Sequence, residues 1–360
     1  MNYPFHIRDI RHSDPFILAD PVSKKYYTYA LAFNPNRYPY QQVGGAFHAL
    51  VSEDLINWSE PVEVFRQGDF WADLDYWAPE CHIWKGKYYI LSTFRSKGKY
   101  RGCQCLVADS PLGPFKPIKN RLSTPPGWQC LDATLYIDKA DRPWMVFCHE
   151  WCQVYDGQIA AVPMSEDLGE AIGEPVILFR GSDAPWKKDK LTCFVTDGCY
   201  LHRCENGDLL MLWSSFSNMG YTTGYAKSSS GEIVGPWEQR ALPLYALDGA
   251  HSMLFRTFEG QLMMALHSPN AHQYKHILLF EMEENNGELA IINEVTGNWY
   301  KKLDEGPGSA YRYDDDCAEA PAFSKIINPT DYYRMMYVKN KDETSCAESC
   351  ECDGRPYPSK

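Results

Sequence analysis

Four acidic residues and one histidine each lead a short apolar run in this 360-residue chain; they are Asp14, Glu80, Asp132, Asp197 and His251. Two carboxyl groups facing each other across a cavity can hydrolyse a glycosidic bond when one is ionised and the other is protonated. The ionised group takes a proton from water, while the protonated group gives one to the departing oxygen. A third carboxylate nearby raises the pKa of the acid, which keeps it protonated near neutral pH. This chemistry requires elements that bring the five side chains together.

Each of these leading residues opens the same local pattern, which is that of a hairpin. Asp132 leads the run 133–137, a turn occupies 138–142, and a second apolar run follows at 144–147. Runs this short, separated by Gly, Asn or Asp, are typical of strands joined by tight turns and not of helices. The pattern recurs about every 52 to 66 residues, and a repeat of this length built only of strands predicts a propeller blade.

A second set of motifs supports the same fold. Ser-Glu-Asp-Leu follows the first and third hairpins (52–55 and 165–168), and Gly-Pro with an aromatic residue follows the second and fourth (113–115 and 235–237). Each is expected to form a turn between the outer strands of its blade. The sequence therefore predicts an all-β protein, a five-bladed β-propeller over residues 1–295. A partly irregular C-terminal extension over 296–360 could add a strand, and residues 1–13 are expected to lend a strand that closes the ring.

The first strand of each propeller blade lines the central channel, so equivalent leading residues should form a ring around one end of it. The alternative is that polar strand starts merely cap hairpins, but capping gives no reason for an acid or an imidazole in all five places. Asp14 and Asp197 fall on blades that are not neighbours, which favours the wider carboxyl separation of an inverting glycosidase. Asp132, on the blade beside Asp197, would supply the third negative charge.

Aromatic residues cluster just before the second leading residue. Trp71 and Trp77 stand close to Glu80, in the segments 69–76 and 77–80. A sugar subsite wall is one interpretation, because flat rings stack on sugars, and a buried plug between blades is the alternative at even weight. His149 and Glu150 are adjacent on a strand and so point to opposite faces, which lets only one of them reach the channel. His267 is interpreted as a packing residue.

Composition excludes several classes of partner and chemistry. The net charge is −12, which argues against nucleic acid or an anionic membrane as partner. No run approaches the roughly 20 apolar residues of a membrane span, and the N-terminus lacks the apolar core of a signal peptide. The 13 cysteines are therefore expected to be reduced, in the cytoplasm. No serine-hydrolase elbow, zincin or P-loop motif occurs.

Four cysteines near the C-terminus raise the question of a zinc site; they are Cys317, Cys346, Cys350 and Cys352. Their C-x3-C-x-C spacing lacks a paired C-x2-C knuckle and a nearby histidine, so a loosely ordered extension is the favoured interpretation.

The chain resembles glycoside hydrolase family 43, the five-bladed propeller arabinofuranosidases, xylosidases and arabinanases, over residues 10 to 292. The motifs that carry the resemblance are Ser13-Asp14-Pro15, Trp77-Ala78-Pro79-Glu80, Leu131-Asp132-Ala133, Thr196-Asp197-Gly198 and Gly249-Ala250-His251. It implies inverting and often exo-acting hydrolysis. Asp14 matches the general base, Asp132 the aspartate that modulates the acid's pKa, and Asp197 the general acid. His251 matches a channel histidine that reaches a calcium or other ion through water; no other cofactor is implied.

One position departs from the family pattern. The acid is normally a glutamate, and Asp197 is one methylene shorter, so the proton donor would sit about 1.5 Å further back, a displacement that can cost about 100-fold in rate. Glu80 and Glu150 are the alternative acids.

Three hypotheses follow for function. The first is an exo-acting glycosidase that removes arabinofuranosyl, galactofuranosyl or xylosyl units from plant- or microbe-derived glycans, with Trp71, Trp77, Glu80 and His251 binding the oligosaccharide or glycoside. The second is a degenerate carbohydrate-binding propeller that has lost catalysis. The third is a protein-interaction propeller, which the absence of a Gly-His and Trp-Asp repeat disfavours.

Overall fold

The computed structural model of the protein describes residues 2–33, 42–189, 191, 193–270 and 275–296. Within these residues the chain forms five antiparallel sheets around a central channel, a five-bladed β-propeller as the sequence predicts. The predicted extension with its four cysteines, beyond 296, lies outside the described residues.

The first blade is the largest. Its strands are β1 (Phe5–His6), β2 (Ile17–Asp20), β3 (Lys25–Phe33), β4 (Gln42–Ser52), β5 (Asn57–Trp58) and β6 (Val62–Arg66). β2 is innermost, β3 and β4 follow outward, and both β5 and β6 pair with β4.

The other four blades each contain four strands. Blade two has β7 (Leu74–Trp84), β8 (Lys87–Arg95), β9 (Gly102–Ala108) and β10 (Lys116–Pro117). Blade three has β11 (Cys130–Ile137), β12 (Pro143–His149), β13 (Gln158–Pro163) and β14 (Val176–Arg180), with the short helix α1 (Trp151–Val154) after β12. Blade four has β15 (Asp197–Arg203), β16 (Leu209–Ser217), β17 (Gly220–Ser228) and β18 (Trp237–Gln239). Blade five has β19 (Ala250–Arg256), β20 (Leu262–Ser268), β21 (His276–Asn285) and β22 (Glu288–Glu294). Short 3₁₀ turns occupy Ile7–Asp9 and Gly181–Asp183.

Aspartates at the far ends of two inner strands explain why the hairpins turn where they do. The Asp20 carboxylate accepts the backbone N–H groups of Val22 and Ser23, at 3.3 and 2.9 Å. In blade three, Asp138 accepts the N–H groups of Ala140 and Arg142, at 2.9 and 3.0 Å. Such side-chain bonds satisfy turn amides that no strand can pair. The turn motifs at 52–55, 113–115, 165–168 and 235–237 likewise fall between third and outer strands, as predicted.

The N-terminal segment corrects one expectation. β1 does not join the last blade but pairs with β5 of the first, with Phe5 opposite Trp58. β1 therefore extends the sheet of its own blade beyond β5. The first and last blades meet instead through side chains. The Arg8 guanidinium donates to the carbonyl of Thr296, and the N–H of Phe258 donates to the hydroxyl of Tyr26.

Aromatic side chains fill the space between the first two blades. Phe47, Phe65, Phe70, Tyr76 and Phe94 are all buried and lie with ring centroids 5.0–6.3 Å apart. This packing joins β4 and β6 of blade one to the first two strands of blade two. In the described part of the chain, no helix has the length and apolar character needed to cross a membrane.

Candidate active site

One backbone position recurs at the mouth of the channel in every blade. It is a residue in the left-handed conformation, with φ between 45° and 56°, at the start of the inner strand: Asp14, Ala78, Asp132, Gly198 and His251. In the last four blades it lies in a bulge where the register with the second strand shifts. Bulges of this kind re-aim side chains next to active sites.

This position corrects the predicted alignment of leading residues. Asp14, Asp132 and His251 occupy it, but Glu80 comes two residues after Ala78 and Asp197 comes one residue before Gly198. Because a strand rises about 3.3 Å per residue, Glu80 lies deeper in the channel than the other four, and Asp197 lies nearer the mouth. Side-chain type alone could not reveal these offsets, since the equivalence is set by the backbone.

Asp14 lies between two histidines of the last blade. Its carboxylate Oδ1 is 3.1 Å from Nδ1 of His251, and its backbone N–H donates to Nδ1 of His267 at 3.0 Å. The side chain of Asp14 keeps 23% of its surface exposed at the mouth, whereas both histidines are buried. Asp14 is thus held firmly while remaining open to water.

Asp132 links the other groups. Its Oδ2 accepts the backbone N–H of Gly198 at 3.0 Å and lies 3.7 Å from Nδ1 of His251. The carboxylate therefore contacts the residue that follows Asp197 and, at the same time, the imidazole that faces Asp14. It couples the two sides of the site.

Asp197 is held by a residue that the sequence did not indicate. The hydroxyl of Tyr221, on β17, donates to Oδ2 of Asp197 at 3.0 Å. The Tyr221 ring stacks against His267 with centroids 5.6 Å apart. An aromatic residue within a strand is so common that nothing in the sequence marked Tyr221 as different.

The electrostatics of the site give its carboxyl groups different protonation states. Burial alone would raise the pKa of Asp14, but the attraction of His251 outweighs it and holds that pKa well below its usual value. Burial opposes charge on His251 too, yet Asp14 and Asp132 raise its pKa to about 10. Near neutral pH, Asp14 is an anion and His251 a cation.

The other two carboxyl groups shift in the opposite direction. Burial raises the pKa of Asp132 to about 6 despite the attraction of His251. Burial, followed by the charge of Asp132, raises the pKa of Asp197 to about 8. The site thus contains one ionised carboxylate and one carboxyl group protonated at neutral pH, which is the pairing that general base and acid catalysis needs.

The second strands of three blades position the leading residues. Thr93 accepts the backbone N–H of Asp132 at 3.0 Å, and Ser214 accepts that of His251 at 2.8 Å. His267 does the same for Asp14, and burial lowers its pKa to about 3, so its ring is neutral and able to accept. In each case the acceptor belongs to the preceding blade. The packing role expected for His267 therefore includes a specific contact with Asp14.

Gly198 is required by the close approach of His251. A Cβ on Gly198 would lie 2.8–3.0 Å from ring and backbone carbons of that histidine, and its φ is +51°. Glycine alone tolerates both the conformation and the contact.

The two predicted subsite tryptophans lie in different surroundings. Trp77 is 38% exposed, and the guanidinium of Arg101 lies 4.2 Å from its ring centroid. Trp71 is partly buried against Phe70, and its indole N–H donates to Gln104 at 2.8 Å. Trp77 is therefore partly exposed next to Ala78 of the channel mouth, whereas Trp71 is anchored to blade two.

The two alternative acids each have a partner of their own. Glu80 is buried, and its Oε2 is 2.9 Å from Nε2 of His82, further down the channel wall. Glu150 is also buried and forms an ion pair with Arg101. The Glu150 side chain is thus already engaged by Arg101. Asp197 remains the better candidate.

A directly bound channel ion does not fit the donor groups present. Nδ1 of His251 faces Asp14 and Asp132, and the described channel residues bring no three ligand atoms of His, Cys, Asp or Glu to one point. The positive charge there belongs to His251 itself. An ion reached only through water stays a prediction.

The family model described as "Glycosyl hydrolases family 43" matches residues 6–289. A solved structure described as an endo-arabinase from Bacteroides thetaiotaomicron VPI-5482 is 37% identical, covering 80% of this chain and 100% of that one with a TM-score of 0.73. No curated protein matches the chain.

Two further solved structures are similar in fold alone. One is described as a thermostable family-43 glycoside hydrolase (22% identity, TM-score 0.68, covering 79% of this chain and 94% of that one). The other is an α-L-arabinofuranosidase from Lactobacillus brevis (16% identity, TM-score 0.61, covering 80% and 97%).

Proposed function

The chain belongs to glycosyl hydrolases family 43, and from that premise we propose that it cleaves α-L-arabinofuranosyl linkages of an arabinan-type glycan by single displacement with inversion. That it is a glycoside hydrolase follows from the family. The choice of sugar rests on the endo-arabinase, since the other solved structures are too distant in sequence to bear on substrate. Galactofuranosides and xylosides, which the sequence left open, are the competing substrates.

The observation that carries the proposal is the difference in protonation between Asp14 and Asp197 at one end of the channel. Asp14, ionised and partly exposed, is the general base that takes a proton from the attacking water. Asp197, protonated through burial and the charge of Asp132, is the general acid that protonates the leaving oxygen. Water attack opposite the departing group inverts the anomeric centre.

Asp132 and His251 are assigned supporting roles. Asp132 raises the pKa of Asp197 and fixes the backbone at Gly198. His251 orients Asp14 and keeps it ionised by its positive charge. Trp77, which is partly exposed next to Ala78, is the candidate for stacking on a sugar ring. Trp71 and Glu80 stay predictions as substrate-binding residues.

The first experiment compares linear arabinan with the 4-nitrophenyl glycosides of α-L-arabinofuranose, β-D-galactofuranose and β-D-xylose, for the wild type and Asp14→Asn. We expect turnover on the arabinofuranoside and on arabinan, with a loss of at least about 100-fold in the variant. Early proton NMR spectra should show the β-anomer of arabinose as the first product. An α-anomer would contradict inversion, and binding without turnover would favour the degenerate propeller.

The same digestion tests the mode of attack. The sequence predicts exo action, which releases only arabinose from linear arabinan at every time point. The relative of known structure is described as endo-acting, and such an enzyme would produce a ladder of oligosaccharides first. Chromatography of products formed before one tenth of the substrate is consumed separates the two.

A further inference from the structure

A group of three metal-ligating side chains lies on the face of the propeller away from the catalytic carboxyl groups. It consists of His202, Cys204 and Glu284, whose ligand atoms all lie within 4.8 Å of one another. β15 runs from Asp197 at the channel mouth toward Arg203 at the opposite end. His202 is five residues along from Asp197, so the group is about 16 Å from the mouth.

The chain positions the first two ligands together. His202 and Cys204 are separated by one residue at the end of β15, and alternate residues of an extended chain point to the same side. Glu284 comes from β21 of the next blade, and its Oε2 is 2.7 Å from Nε2 of His202. The three ligands therefore converge from two blades on one point.

The remaining contacts hold Glu284 in a ligating orientation. Its second oxygen, Oε1, accepts the backbone N–H of Glu205 at 2.7 Å. Outer hydrogen bonds of this kind fix carboxylates in metal sites. The side chain of Glu205 is occupied elsewhere, by the guanidinium of Arg256 at 2.9 Å. Cys204 is buried and forms no disulfide, while His202 and Glu284 keep part of their surface exposed, which leaves a path for an ion.

We propose that His202, Cys204 and Glu284 form a zinc site that ties the hairpin turn of blade four to the third strand of blade five. Imidazole nitrogen, thiolate and carboxylate oxygen are the ligands of Zn²⁺, at about 2.0–2.3 Å, with water completing a tetrahedron. Ligand atoms at those distances lie roughly 3.3–3.8 Å apart, so binding requires His202 and Glu284 to separate by less than about 1 Å. The thiol of Cys204 releases its proton to solvent on binding.

The chain contains an internal control for this proposal. His82 and Glu80 form a similar pair, with Nε2 and Oε2 2.9 Å apart, on the inner strand of blade two. No cysteine joins them within the described residues, and they are not among the groups that could hold an ion. A histidine–glutamate pair alone should not retain zinc.

The experiment measures zinc after dialysis of the full-length chain, with reductant present. Because the C-terminal cysteines could also bind zinc, it uses a background in which they are replaced by serine; they are Cys317, Cys346, Cys350 and Cys352. We expect about one zinc per chain, lost in Cys204→Ser and His202→Gln and retained in His82→Gln. Saturating zinc should raise Tm by about 5 °C or more in the background protein and not in Cys204→Ser.

Cobalt(II) provides a second readout. Its complex with the background protein should show a thiolate-to-cobalt charge-transfer band that Cys204→Ser removes. Activity on an aryl glycoside, which is cleaved at the opposite end of the channel, reports that Cys204→Ser and His202→Gln are folded, and Glu284→Gln serves if Cys204→Ser does not fold. The absence of bound metal in the background protein, or zinc retained equally in Cys204→Ser and His202→Gln, would overturn the proposal.

Discussion

Asp197 is the residue on which the proposed reaction depends most. Its raised pKa of about 8 keeps it protonated at neutral pH. We expect Asp197→Asn to lower kcat on arabinan by about 10²–10⁴ and to abolish the fall in activity above pH 8. Activity of the wild type should fall through that pH, because the deprotonated carboxyl group can no longer donate.

Comparison of leaving groups separates loss of the acid from general damage. The phenol of an aryl glycoside can leave without being protonated. The Asp197→Asn variant should therefore lose far less activity on an aryl glycoside than on arabinan. Asp197→Glu, which restores the side chain usual in the family, should retain activity on both. Equal losses on both substrates in Asp197→Asn would point to Glu80 or Glu150 as the acid.

His251 is predicted to control the acidic side of the pH profile. It is positively charged up to a pKa of about 10 and lowers the pKa of both Asp14 and Asp132. In His251→Asn the pKa of both carboxyl groups should rise. On acidification, the variant should therefore lose activity at a higher pH than the wild type does. We expect the acidic limb of kcat/KM to move up by about one to three pH units.

His267→Asn is the matched control for that shift. His267 also contacts Asp14, but it is neutral, with a pKa of about 3, and acts as an acceptor that asparagine can replace. Its replacement should leave the acidic limb in place even if kcat falls. If His267→Asn moved the limb as far as His251→Asn does, orientation and not charge would be the cause.

At the level of elements, the bulge at the start of each inner strand sets the geometry of the site. Gly198 combines positive φ with close contact to His251. Gly198→Ala should therefore lower kcat/KM by about 100-fold or more, because displacement of catalytic groups by about 1 Å is enough for such a loss. Gly86 also has a positive φ, at +77°, but a Cβ there would meet open space. Gly86→Ala should lose about 1–2 kcal/mol of stability and keep its activity.

The same bulges explain which features of the fold and of the site could be predicted from the sequence. Hairpin runs and turn motifs predicted five blades correctly, because strand alternation and turn chemistry are local. Asp14, Asp132 and His251 were placed at equivalent positions, since each leading residue itself adopts positive φ. The offsets of Glu80 and Asp197 could not be predicted. In those two blades the bulge lies at Ala78 and Gly198, and neither residue was recognised from the sequence as its position.

Contacts between blades were beyond sequence analysis for a different reason. Tyr221 bonds to Asp197 within blade four, but Thr93, Ser214 and His267 support residues of the following blade. The three pairs between blades are separated by 37 to 253 residues along the chain. No local period indicates which threonine or serine among many faces a neighbouring amide.

At the level of the whole molecule, the ring closes, as far as the described residues show, through side-chain packing and not through a shared strand. Tyr26 of blade one is buried, with its ring centroid 4.7 Å from Phe258 and 6.3 Å from Phe255 of blade five. Its hydroxyl accepts the N–H of Phe258 at 3.2 Å. Among the described residues, no strand is shared between the first and last blades. The Tyr26 contact therefore helps to hold these two blades together.

We therefore expect Tyr26→Ala to lower the free energy of unfolding by about 3–5 kcal/mol, as removal of a buried aromatic ring does. Tyr26→Phe keeps the ring and loses one hydrogen bond, so it should cost only about 1 kcal/mol. Urea unfolding followed by tryptophan fluorescence measures both. A reduced m-value in Tyr26→Ala would indicate that the ring opens before the blades unfold. If the two variants lost equal stability, the hydrogen bond and not aromatic packing would hold the blades together.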